Sequence, residues 1–145
     1  MRQLCRTALL ALLAASCDSM GPAFNPAQEL VVHRSQWRKA NIHDYTFDYT
    51  VLGQAIGPSV RIIVLADTVR SASRLDTGAA CPVAGLPTIE GLFSEIQDLL
   101  GSRNYQTTVQ YNSTWGFPIL INASSPLPDA AFTVRIANVD WVRTV

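Results

Sequence analysis

The spacing of apolar positions changes character several times along this chain, and each change marks an element. From Asn25 to Asn41, Leu30, His33 and Trp37 recur at helical spacing and form one inward stripe. Asn25-Pro26 reads as an N-cap followed by proline at the first helical position, and Asn41 suits the left-handed residue that ends a helix. Arg34, Arg38 and Lys39 fall on the outer face and in the last turn, where cations oppose the helix dipole. The period then switches to two. In "DYTFDYTV", Tyr45, Phe47, Tyr49 and Val51 point one way and Asp44, Thr46, Asp48 and Thr50 the other, which predicts a half-buried strand with an aromatic inner face.

"GQAIG" turns the chain into "PSVRIIVLA", whose nearly unbroken apolar run predicts a central strand. "DT" is expected to make the tight turn into "VRSASRL", the return strand of a hairpin. "TIEGLFSEIQDLLG" is the clearest helix. Thr88 caps it, Ile89, Leu92, Phe93, Ile96, Leu99 and Leu100 give a wide apolar stripe, and Gly101 closes it. "YQTTVQYN", "PILIN" and "AAFTVRIANVDWV" read as three more strands. The order α-β-β-β-α-β-β-β predicts an α+β domain over residues 26–145: a single curved antiparallel sheet of five to six strands with two helices packed on one face.

The first residues follow a different logic. Arg2 and Arg6 form a positive region and Thr7 to Ala15 a short apolar run, too brief for a spanning helix of about 20 residues. Residues 1–16 therefore read as a secretory signal peptide. Its end, "LAASC", resembles a bacterial lipobox with Cys17 as the lipidated residue, although Ala14 stands where leucine is common. Residues 17–25 are then the lipidated cysteine and its tether. The expected address is an exported domain, lipid-anchored to a bacterial membrane and facing the periplasm or cell exterior, with the membrane itself as a partner.

Composition narrows the function further. Removing Arg2 and Arg6 with the leader leaves nine basic residues against 11 acidic ones, with no basic stripe, so nucleic acid is not an expected partner. With Cys5 in the leader and Cys17 carrying lipid, Cys81 has no intramolecular partner; nothing basic beside it activates the thiol. His33 lies on a helix stripe and His43 at a helix–strand junction. No G-x-S-x-G occurs, and Ser71 and Ser73 alternate along a strand. His43, Asp44 and Asp48 are the nearest approach to a metal set, but a solvated polar strand face explains the same alternation. No catalytic residue, metal or cofactor is expected.

The tract "YNSTWGFPILIN" is the most unusual stretch. Asn112 to Phe117 connects two strands: Asn, Ser and Thr suit the turn, Gly116 relieves the backbone beside two rings, and Pro118 belongs at a strand start. Tyr111, Trp115 and Phe117 are candidate binding residues if they form an aromatic shelf. Asn112 and Asn122 also match the glycosylation sequon, which means little in a bacterial lipoprotein.

Four blocks, "WRKANIHDYTFDY", the hairpin, "PTIEGLFSEI" and "VQYNSTWGFPILI", together resemble the DUF6174 family from about Trp37 onward. The resemblance implies small exported bacterial proteins, often lipoproteins, with no established activity. In that family the last block usually reads Y-D-P-x-Y-G-Y-P, so Tyr111, Gly116 and Pro118 match and Asn112, Ser113, Trp115 and Phe117 differ. A Cys-x-Cys pair common in the family is replaced here by "TVLG", and no redox role carries over. The expected function is a membrane-anchored, non-catalytic module that binds another envelope component, a protein partner included. The alternative is a carrier of a small apolar ligand held between sheet and helices, in a pocket lined by Phe47, Phe93 or Ile119.

Overall fold

The computed structural model describes residues 25–53, 57, 59–127 and 130–141. The segment expected to be a signal peptide, Cys17 and most of the expected tether lie outside the described residues. Helix α1 runs Pro26–Ala40, strand β1 Tyr45–Gly53, β2 Val60–Leu65, β3 Thr68–Arg74 and β4 Ala80–Cys81. Helix α2 spans Ile89–Gly101, followed by β5 Gln106–Tyr111, β6 Pro118–Ser124 and β7 Phe132–Trp141. All strands join one antiparallel sheet in the order β4-β3-β2-β1-β7-β6-β5.

The α+β class holds, but the sheet has seven strands, where five to six are expected from the pattern. The added strand is β4, inside the loop-like "DTGAACPVAG". Two residues are too short for any alternation to show; their ladder to Ala72 and Ser73 makes them a strand. The central strand is β1, flanked by β2 and β7. The β2–β3 turn also sits one residue earlier than expected, with Ala66 and Asp67 both at positive φ (48° and 59°). This is the mirror-image turn that matches strand twist, built here without glycine.

Register sorts the two faces. Val109, Ile121, Val134 and Val51 stand opposite one another in turn, as do Phe47, Ile62 and Ala72 on the other side of β1. Both helices cover this inner face: Leu30 and Trp37 of α1 and Ile89, Leu92, Phe93, Ile96 and Leu99 of α2 join one core with these residues. The opposite face carries rows such as Thr50–Arg135–Leu120 and Asp48–Arg61–Ser73, and among the described residues neither helix lies over it.

Caps fix the helices where the sequence places them. Asn25 accepts from the backbone N–H of Ala27 and Gln28, and Asn41 leaves α1 at φ 53°. Thr88 accepts from Gly91 N–H at 3.0 Å. Gly101 is the last helical residue, and the chain exits through extended Ser102. The two helices are tied by Arg34 and Arg38, which both donate to the Glu90 carboxylate. Tyr45 joins β1 to the start of α2 by accepting from Ile89 N–H at 3.0 Å, and burial pushes its phenol up to about 12.

Candidate functional site

The aromatic tract is a seat for helix α1. Asn112 Oδ1 accepts from Thr114 and Trp115 N–H at 3.0 and 2.8 Å, closing an Asx turn. Gln36 of α1 donates to the Ser113 and Thr114 carbonyls at 2.9 and 2.7 Å. Gly116 has φ 81°, and a Cβ there would collide with the His33 carbonyl oxygen. Phe117 is buried edge-on to Trp37, with ring centroids 6.1 Å apart. Tyr111 lies stacked between His33 at 4.2 Å and Phe93 at 6.3 Å. Only Trp115, 38% exposed and edge-on to Trp141 at 5.3 Å, faces solvent. The three residues therefore do not share one surface.

The polar candidates are engaged in structural contacts. Asp44 accepts from Ala66 N–H at 2.7 Å, and Asp67 N–H donates to the His43 carbonyl at 3.1 Å, so the junction after α1 braces the β2–β3 turn. That bracing puts the Asp67 carboxylate 2.6 Å from His43 Nδ1, while Nε2 lies 3.2 Å from Asn41 Oδ1. These groups, with Trp37, Ile42 and Glu90, line a cleft of about 400 Å³. Thr88 also lines it, with its hydroxyl oxygen accepting from Gly91 N–H as the helix cap. A base and its orienting carboxylate are present without an activated nucleophile. Among the described residues, His33 Nδ1 and the Tyr111 hydroxyl are buried without hydrogen-bond partners.

Asp48 departs from the solvated row expected of it. It is buried, and its carboxylate accepts from Arg61 at 2.7 and 3.0 Å and from Asn138 at 2.6 Å. Burial pushes this carboxyl up, but the Arg61 and Asn138 hydrogen bonds and the Arg61 charge outweigh it and hold it below the usual range. Among the described residues, no three His, Cys, Asp or Glu side chains gather to hold a metal ion.

A larger apolar concavity lies elsewhere. Phe47 and Phe93 are fully buried, so the space between sheet and helices is filled where a carrier pocket is expected. Further along the inner face, Tyr49, Val51, Val60, Cys81, Pro82 and Leu86 line an open groove of about 510 Å³. Pro82 and Leu86, from the connection between β4 and α2, form one wall of it, and strand residues Tyr49, Val51, Val60 and Cys81 line the rest. Burial, helped by the Glu95 charge, pushes the Tyr49 phenol up to about 12. Arg74 at the rim is held by Asp76 through contacts of 3.0 and 2.8 Å, and those hydrogen bonds lower the Asp76 carboxyl to about 2. Nothing in the chain's periodicity reveals this groove. The one available signal was Cys81 and its apolar neighbours in a stretch without helical spacing.

Among curated proteins none matches this chain. The family match begins at Glu29, inside helix α1 and ahead of the blocks that carry the resemblance in sequence, and it ends at Asp140 near the close of β7. With residues 29–140 matched, both helices and every strand included, the chain belongs to DUF6174, a family of unknown function.

Proposed function

We propose that the mature protein is a lipid-anchored envelope domain that binds a small apolar ligand, or the apolar part of an amphiphile, and performs no chemistry of its own. The groove beside β1–β4 carries this reading. Its lining of Tyr49, Val51, Val60 and Leu86 is of the kind that packs a core and borders the core cluster, yet it lines an open groove. Its volume falls within the roughly 300–1,000 Å³ typical of ligand sites. The anchor rests on the leader and the "LAASC" tract.

Cys81 supplies the test, because it lines the groove and is the only cysteine left in a mature Cys17→Ser chain. Alkylation of Cys81 by a maleimide should slow by about tenfold when palmitate saturates the protein at an excess that its affinity permits. Val51→Trp, which fills the groove, should remove that protection. Equal alkylation rates with palmitate, an isoprenyl alcohol and no additive would exclude the groove as the site.

A second reading is favoured by one observation, the exposed Trp115 packed edge-on against Trp141. Surface indoles are frequent anchors of protein contacts. Capture of an envelope protein from detergent-solubilised membranes that is lost in Trp115→Ala would support contact there.

A further inference from the structure

We propose that the outer face of helix α1 lies on the bilayer, against anionic phospholipid headgroups, and so sets which way the anchored domain faces. This rests on the lipid-anchored reading and adds an orientation to it. At 100° per residue, Ala27, Arg38, Val31, Ser35, Lys39 and Val32, with Gln28 among them, fall in an arc of roughly 140° on the side of the helix away from the buried Leu30 and Trp37. All are exposed, and Val31 and Val32 are among the most exposed large apolar residues described, at 67% and 57%. No acidic residue lies in the arc. The helix's own acid, Glu29, is half-buried on the side that approaches Tyr111.

Chemistry divides this arc along its length. The valines sit in the first half and the cations in the last, so a small apolar patch and a cationic patch adjoin on one exposed face. Glu90 of α2 pairs with Arg34 and Arg38, yet Arg38 keeps 61% of its side-chain surface exposed, and Lys39 follows it. Cations beside an exposed apolar strip complement an anionic lipid surface.

Reach selects the lipid surface over a protein partner as occupant. Only eight residues, 18–25, separate Cys17 from the start of α1, and fully extended they span at most about 25–30 Å. Helix α1 is thus the described element tied nearest to the anchor. The uncovered sheet face, on the far side of the sheet from both helices, then points away from the membrane.

Nanodiscs containing phosphatidylglycerol and a gadolinium-chelate lipid test the orientation. The mature chain with Cys81→Ser is coupled through its Cys17 thiol to a maleimide lipid, and relaxation enhancement is read at each backbone amide. Val31 and Ser35 should be enhanced severalfold more than Thr50, Gln110 and Arg135 on the open face. In Val31→Asp/Lys39→Glu the contrast should vanish while the amide spectrum of the sheet stays unchanged. Equal enhancement on both faces, or a maximum on the open face, would overturn the proposal. Because the coupling is chemical, this result is independent of whether cells lipidate Cys17, which membrane fractionation of Cys17→Ser reads separately.

Discussion

Gly116 shows how far a single residue can be understood from its neighbours in the chain. From sequence, a glycine beside Trp115 and Phe117 reads as relief between bulky rings. In the fold its φ of 81° and missing Cβ let the backbone come up against the His33 carbonyl and the Gln36 Cβ of α1. The need for glycine was legible; its cause was not, because helix and loop lie far apart in sequence. Gly116→Ala must accept a left-handed alanine, about 1–2 kcal/mol, and also push α1 away from its seat. A loss of roughly 2–4 kcal/mol is expected, read as a lower urea midpoint with an unchanged slope. Gln36→Ala, which only removes the two hydrogen bonds to Ser113 and Thr114, is expected to cost about 1–2 kcal/mol. If Gly116→Ala proves the milder of the two, the close approach does not constrain the loop.

At the scale of elements, alternation gave β1 its inner face correctly, since Tyr45 and Phe47 are buried as the period requires. It failed at Asp48, because burial on the outer face depends on what the neighbouring strands carry. The β1–β7 register shifts between Thr46 and Asp48, and Asn138 sits there at φ 47°. That bulge re-aims Asn138 onto a carboxylate already held by Arg61 from β2. Three strands thus meet at one buried acid. Asp48→Ala leaves the Asn138 amide and Arg61 without their acceptor and should cost about 2–3 kcal/mol. The folded carboxyl titrates below its unfolded value near 3.9, so its stabilisation is complete above that value and is lost as pH falls through the folded pKa. The stability gap between wild type and Asp48→Asn should therefore be constant near neutrality and narrow below about pH 4, measured by urea titration at each pH. A gap that does not change with acid would mean that the Arg61 pair adds no charge-dependent stability.

For the whole molecule, the expected address rests on the leader and the "LAASC" tract, whereas the groove needed the strand order. No periodicity shows that Cys81, Pro82 and Leu86 come to stand beside Tyr49, Val51 and Val60 at one open groove. The anchor and the α1 face can be separated by their energies. Two acyl chains bury many methylenes at about 0.8 kcal/mol each, a hold that washing does not reverse. The α1 face offers two exposed valines at about 1.5 kcal/mol each, and Lys39 beside an Arg38 already paired with Glu90 adds only a weak attraction to an anionic surface. Incomplete insertion and the loss of orientational freedom reduce that sum to a marginal, salt-sensitive attachment. Cys17→Ser should therefore move the protein from the membrane pellet to the soluble fraction, with any residue released by high salt. Val31→Asp/Lys39→Glu with Cys17 intact should remain in the pellet through the same wash. Retention of Cys17→Ser in high salt would mean that something other than acyl chains holds the domain there, and the reading of "LAASC" would fall with it.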